Sequence, residues 1–240
     1  MARLGLGVGL TRRGGGGAAA PAIPTIASSV YWLDATDAST ISATSGSVSE
    51  IRDRLGGTTK LVQATGANQP TTGAVSINGL NVLNFPTDDA GLKSNVMPTT
   101  NAAVAVSMVI EITDDVFVLL RSDSTRIAAI GQIDSTSDIL DRESGSPLYF
   151  ANGSPLATVT RDGLYNAISG TVGPVILTIT GMDMSNWTDL EIFYHDVGSF
   201  GVYGSLGEMT VMNAPTTAQL NALGEYLATK WGTATWTTMT

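Results

Sequence analysis

The chain has no cysteine among its 240 residues, and it has a single histidine, His195. The first absence excludes a disulfide framework and any thiolate metal site. One imidazole leaves too few nitrogen ligands for a zinc site. The sequence also lacks a run of about 18 apolar residues, so it predicts no transmembrane helix.

Charged side chains are scarce and unevenly balanced. They make up 14% of the chain, and the formal net charge is −9. An acidic surface repels the phosphate backbone, which argues against nucleic acid as a partner. Hydrophobic residues reach 43% of the chain, which is enough for one sizeable core. We therefore expect one domain with an arm, binding neither nucleic acid nor a membrane.

Most of the chain alternates short runs of β-forming residues with turn residues, at intervals of roughly 10 to 15 residues. This spacing is typical of an all-β sandwich. Asn152-Gly153 indicates a tight hairpin turn. The predicted strands cover residues 28–33, 46–52, 80–85, 104–112, 116–120, 126–133, 164–168, 175–180, 190–194 and 206–212.

One segment near the C-terminus has a helical pattern, and it is the only helix that the sequence predicts. Thr216 and Gln219 have the spacing of a capping box, and Gly232 suits the residue that ends a helix. Lys230 lies in the last turn, where a cation complements the helix dipole. An apolar stripe, which must dock onto the sheet, is formed by Leu220, Leu223, Leu227 and Trp231.

The first 25 residues differ from the rest and are predicted to form an arm and a linker, with the sandwich covering residues 26–240. In an extended chain the apolar side chains of the arm share one face, because glycines alternate with them. Residues 14–24 are a Gly/Ala/Pro linker. The arm is read as a segment that orders on a partner, as an unstructured tail or as a signal peptide. The arm residues assigned to anchoring are Arg3, Leu4, Leu6, Val8, Leu10, Arg12 and Arg13.

Three parts of the sandwich resemble the concanavalin A-like (laminin-G-like) jelly-roll modules of bacterial surface and phage proteins. The opening WLDATDAST at residues 32–40 is close to the W-L-D-A-S-D pattern of that family. Residues 48–56, 63–65, 68–70 and 78–85 match its second part, and YLATKWG at 226–232 matches its closing helix. Ile51, Leu55 and Pro86 depart from the pattern. The resemblance implies a jelly-roll sandwich with one C-terminal helix, but a fold alone gives no function.

The arm and its linker resemble, in composition, the attachment peptides of accessory phage virion proteins. This likeness implies a non-enzymatic decoration, spike or fibre-type protein of a bacteriophage virion, present in several copies or as a homo-oligomer. Its arm would attach to capsid or tail proteins. The alternative is a secreted or surface carbohydrate-binding module or adhesin that contacts a host glycan.

The resemblance also prompts a test for catalysis. The glucanases with this fold carry a Glu-x-Asp-x-(x)-Glu strand that holds two carboxylates at the separation a retaining glycosidase needs. None of the glutamates here has an aspartate two residues further on. A catalytic triad on His195 would need a serine in a nucleophile elbow, and no G-x-S-x-G is present. We expect no enzymatic activity.

The sequence leaves two kinds of ligand as candidates, a glycan and Ca²⁺. A glycan would need an exposed aromatic platform, and the candidates are Trp187, Phe200, Tyr203 and Trp236, since Trp32 and Trp231 belong to the framework patterns. We expect no cofactor, with Ca²⁺ as the one candidate, because carboxylates in turns suit it. Those carboxylates belong to Asp34 and Asp37, Asp88 and Asp89, and Asp114 and Asp115. Alternatively, these aspartates bond to their own turns.

Overall fold

A computed structural model describes residues 26–87, 89–122, 126–138, 145–169, 173–193 and 202–240. The arm and linker at residues 1–25 lie outside the described residues, as do Asp88, His195 and Phe200. The predictions made for them therefore stay predictions.

The described chain is predominantly β, which confirms the predicted class. Its strands are β1 (Ser29–Asp34), β2 (Ile41–Thr44), β3 (Ser47–Arg52), β4 (Lys60–Val62), β5 (Thr71–Ile77), β6 (Leu80–Phe85), β7 (Leu92–Ser94), β8 (Val104–Ile112), β9 (Val116–Ser122), β10 (Arg126–Gln132), β11 (Gly145–Ala151), β12 (Ser154–Pro155), β13 (Val175–Met182), β14 (Glu191–Ile192) and β15 (Gly204–Asn213). The helices are α1 (Arg161–Ile168) and α2 (Thr217–Trp231). Short 3-10 turns cover Ala38–Thr40 and Gly66–Asn68.

The strands form one large antiparallel sheet with the order β10-β9-β14-β7-β4-β3-β5-β6-β15-β8-β13-β11-β12. Strand β1 pairs with β15, and β2 pairs with β3. We call β1, β5, β6, β8, β11, β12, β13 and β15 the helix-covered half, and the remaining strands the outer half. Both halves contribute to one apolar cluster, which is compatible with a β-sandwich.

The central strands of the helix-covered half, β8, β13 and β15, are buried on both faces. Along β8, Val106 and Met108 belong to the cluster shared with the outer half, whereas Ala105 and Val109 belong to a second cluster beneath α2. Strand β13 alternates in the same way, with Leu177 on one face and neighbouring Ile176 on the other. Because successive side chains of a strand point to opposite faces, this alternation places α2 on the face away from the outer half.

Helix α2 begins and ends as its sequence predicts. The capping box between Thr216 and Gln219 is present, and Gly232 ends the helix with a φ of 62°. The predicted stripe is buried in the second cluster, with Leu223 and Trp231 fully enclosed. Gly224 lies so close to the Trp236 ring that a Cβ would meet it at 2.2 Å. A larger residue would therefore displace the C-terminal tail from α2.

Helix α1 corrects the prediction, since the sequence assigned residues 164–168 to a strand and predicted only one helix. The Thr160 hydroxyl accepts from the Gly163 amide as an N-cap, and Asp162 lies in the first turn. Leu164 and Ile168 are one helical turn apart and both are buried. Among the described residues, no helix is long and apolar enough to cross a membrane.

Candidate functional site

A buried ion cluster lies between α2 and the paired strands β1 and β15. The Lys230 ammonium, on the last turn of α2, lies 2.8 Å from Asp34 Oδ2 and 2.7 Å from Glu208 Oε2. All three side chains are enclosed, with relative exposures of 8%, 1% and 0% for Lys230, Asp34 and Glu208. One cation therefore bridges carboxylates from β1 and β15.

Glu208 receives further donors from aromatic side chains. Its Oε1 accepts from Trp32 Nε1 at 2.6 Å and from the Tyr226 hydroxyl at 3.3 Å. Its Oε2 accepts from Trp231 Nε1 at 2.8 Å as well as from Lys230. Burial, followed by the charge of the neighbouring Asp34, raises the pKa of Glu208 despite these donors.

Asp34 is held by its own turn as well as by cations. Its Oδ1 accepts from the Thr36 amide at 3.0 Å and from the Thr36 hydroxyl at 2.7 Å, and its Oδ2 also binds Arg54. Burial alone would raise the pKa of Asp34, but hydrogen bonds from Lys230 and Thr36 outweigh it and lower that pKa. The cluster fastens β1, β15 and α2 together, which is a structural role.

A second ion cluster lies on the outer half, where Glu191 of β14 is flanked by Arg121 of β9 and Lys93 of β7. Glu191 pairs with Arg121, and the Lys93 ammonium lies 2.8 Å from Glu191 and 2.7 Å from Asp189. The two-residue strand β14 is thereby tied to both neighbours. Lys93 remains half exposed, whereas Glu191 and Arg121 are buried.

An exposed apolar groove runs along the last strands of the helix-covered half, and we call it the edge groove. Its two adjoining cavities measure about 350 and 130 Å³. Both are lined by Pro147, Leu148, Tyr149 and Val159. Leu148 is 61% exposed and Val159 55%, the largest exposed fractions among the described large hydrophobic side chains. Exposed apolar side chains grouped beside a cavity make this groove a candidate binding surface.

The predicted glycan platform is only partly described. Trp187 and Trp236 are buried, with exposures of 3% and 8%, so neither forms the exposed platform expected of it. Tyr203 is 41% exposed at the entry to β15 and meets that expectation. The structure therefore brings no two of the predicted aromatic side chains together on the described surface.

Three of the aspartates proposed for Ca²⁺, Asp34, Asp37 and Asp114, bond within their own turns, whereas Asp115 accepts from the Tyr165 hydroxyl of α1. Asp37 Oδ1 accepts from the amide and hydroxyl of Ser39, and Asp114 Oδ1 accepts from the Asp115 amide. Within the described ranges, no group of three or more His, Cys, Asp or Glu side chains could hold a metal ion. The hydrogen bonds of Asp34, Asp37 and Asp114 fit the alternative in which these aspartates bond to their own turns.

The sequence analysis missed the partners of Lys230. It assigned that lysine to the helix dipole and gave no role to Glu208 or Arg54. A signal was present, since Glu208 interrupts the otherwise apolar and small residues 204–212. A carboxylate in a strand buried on both faces requires a paired cation.

The edge groove is thus a candidate binding surface on the described residues, whereas the two ion clusters have structural roles elsewhere in the sheet. In comparisons with known proteins, no family model matches the chain and no match to a curated protein was found.

Proposed function

We propose that the chain is a non-enzymatic structural accessory protein of a bacteriophage virion. The chain's concanavalin A-like jelly-roll sandwich projects from the particle, and the N-terminal arm attaches it to capsid or tail proteins. The observation that carries this proposal is the sequence of an apolar, glycine-alternating arm and a Gly/Ala/Pro linker that precede a buried first residue of the module.

That starting point is Ile26, the first described residue. Its side chain is 7% exposed and belongs to the cluster beneath α2. Its carbonyl accepts from the Ser29 amide at 2.9 Å, immediately before β1. The linker at residues 14–24 thus ends next to a buried anchor, so the arm can engage a partner without disturbing the sheet.

The arm has enough apolar surface for a weak contact. Covering Leu4, Leu6, Val8 and Leu10 would bury about 300 to 400 Å², worth roughly 8 to 10 kcal/mol at about 25 cal/mol/Å². Ordering some ten residues costs a similar amount. One arm alone therefore binds weakly, and lasting attachment needs several copies acting together.

The test compares two full-length variants in particles of the phage that encodes the chain. The first replaces Leu4, Leu6, Val8 and Leu10 with serine, and the matched control replaces Gly14, Gly15, Gly16 and Gly17 with serine. We expect both variants to fold and to melt within about 6 °C of the wild type, because the module does not depend on the arm for its core. We expect only the first to be lost from particles, by at least about tenfold, since several weak contacts fail together.

Normal incorporation of the arm variant would refute the anchoring role. Loss of the cooperative melt for that variant alone would show that the arm belongs to the folded core. Deletion of residues 1–13 provides the same comparison without new side chains.

A secreted carbohydrate-binding module or adhesin is the second candidate, and the exposed ring of Tyr203 is the observation that favours it. The N-terminus of the mature protein separates the two functions. Mass spectrometry that finds Arg3 and residues 4–10 retained supports attachment by the arm, whereas a processed N-terminus supports secretion. Tyr203→Ala would then be compared with the wild type on a glycan array.

A further inference from the structure

Charge is divided unequally between the arm and the module. Residues 1–25 contain Arg3, Arg12 and Arg13 and no acidic residue, so the arm carries +3. The whole chain has 12 basic and 21 acidic residues, which leaves 9 − 21 = −12 for residues 26–240. An arm of this charge is attracted to the module itself.

The edge groove has the shape and chemistry to receive such a segment. Its floor follows β11, whose only long described neighbour is β13, because β12 pairs with Phe150 and Ala151 alone. Pro147 lacks an amide hydrogen, so a ladder of backbone bonds along this edge is interrupted. Apolar side chains such as Leu148 and Val159 are left to make the contact.

The arm matches these requirements better than an ordinary strand does. Its leucines and valine lie on one face when extended, and the glycines on the other face let the backbone approach closely. Asp138 lines the larger cavity, so a carboxylate is available near the arginines that flank the apolar residues. The apolar and the ionic groups that such a contact needs are therefore present in the same chain.

The groove is within reach of the arm of the same molecule. Phe150 lines the smaller cavity and also packs against the cluster that contains Ile26. Leu10 lies 16 residues before Ile26. A glycine-rich chain of that length spans about 20 to 24 Å on average, and about 53 Å when fully extended.

We propose that the edge groove holds residues 4–10 of the same chain until a partner surface displaces them. The inference rests on the proposed function, since the segment is the attaching arm, and it adds a resting place that keeps the arm from associating prematurely. A short flexible linker gives an effective concentration of about 1 mM. If the arm binds the groove with a dissociation constant of about 0.1 mM, the docked state is then populated roughly ten times more than the free state.

The test uses the full-length chain and its lack of cysteine. A nitroxide attached to Ala2→Cys should broaden the backbone amide signals of Leu148 and Val159 while sparing Leu55, another exposed apolar residue. Serine at positions 4, 6, 8 and 10 should abolish the broadening. Leu148→Ser with Val159→Ser should speed tryptic cleavage after Arg12 by about tenfold, with Leu55→Ser as the matched control.

A mixture of labelled, isotope-free chains with unlabelled, ¹⁵N-enriched chains separates the two geometries. Broadening that is absent from this mixture supports docking within one molecule, whereas broadening of Leu148 and Val159 in the mixture would overturn it in favour of docking between copies. If neither sample is broadened at Leu148 and Val159, the groove does not hold the arm. That failure leaves the particle-incorporation test unaffected, so the two proposals fail separately.

Discussion

Lys230 is the cation on which two buried carboxylates depend. Replacing it with methionine keeps most of its volume but leaves Glu208 with only indole and phenol donors. We expect Lys230→Met to lower the free energy of unfolding by about 3 to 5 kcal/mol, the usual effect of removing one partner from a buried ion pair. Urea denaturation measures the loss.

Lys60 provides the matched control for that substitution. Its ammonium lies 2.6 Å from Glu50, but the Lys60 side chain is 40% exposed. Exposed pairs contribute at most about 1 kcal/mol, so Lys60→Met should have little effect. Equal losses for the two variants would contradict the role assigned to the buried cluster.

The two carboxylates of the cluster should respond to pH with opposite signs. Glu208 has a raised pKa in the folded state, so its contribution to stability is present below its usual value of 4.5 and is lost as pH rises through the folded-state pKa. Asp34 has a lowered pKa, so its contribution is present above its usual value of 3.8 and is lost as pH falls through the folded-state pKa.

Unfolding free energies of Glu208→Gln and Asp34→Asn, measured from about pH 3 to pH 7, test this difference. The stability of the wild type relative to Glu208→Gln should fall with rising pH. Relative to Asp34→Asn it should rise from acid pH up to about pH 4 and then level off. Slopes of the same sign for both variants would show that the cluster does not titrate in this way.

At the residue scale, the sequence identifies framework positions but not their pairing. Trp32 and Trp231 are predicted to be core residues, and both are buried as predicted. Their indole nitrogens converge on Glu208, although Trp32 and Glu208 are 176 positions apart. Local patterns contain no information on such contacts, because the sheet brings β1 and β15 together only after folding.

At the element scale, the position of α2 depends on its buried stripe. Leu223→Asp places a carboxylate in the apolar cluster without a cation, whereas Ala222→Asp places the same group on the exposed face of the same helix. We expect the first substitution to cost about 3 kcal/mol or more and the second under about 1 kcal/mol. Thermal melts that do not distinguish the two would mean that α2 is not docked.

The two helices show what a local pattern can and cannot determine. The capping box, apolar stripe and terminal glycine of α2 all indicate the same helix, and its bounds follow from the sequence. In α1, β-forming residues mask the single pair of Leu164 and Ile168 at helical spacing. Only eight residues form that helix, so the period of the pattern is too short to separate helix from strand.

At the scale of the whole molecule, the class of fold follows from the sequence but the strand order does not. Strand β14 has two residues and lies between β9 and β7, held by the pairs of Glu191 with Arg121 and Lys93. Such a short strand has almost no local signal. Its place depends on side chains that are distant in sequence, and the edge groove likewise exists only because β11 and residues 155–159 meet.

The position of Ile26 determines on which side of the sheet the module joins the preceding residues. Ile26 and Met239, from its two ends, both lie in the cluster beneath α2, so the first and last parts of the fold converge on one side of the sheet. Under the attachment proposed above, a tether at residue 26 would turn that side toward the partner surface and the outer half away from it. Exposed positions of the outer half, such as Ser49 and Arg52, would then face away from that surface. We expect substitutions at those positions to leave the Lys230 cluster intact, because Asp34, Glu208 and Lys230 lie on β1, β15 and α2.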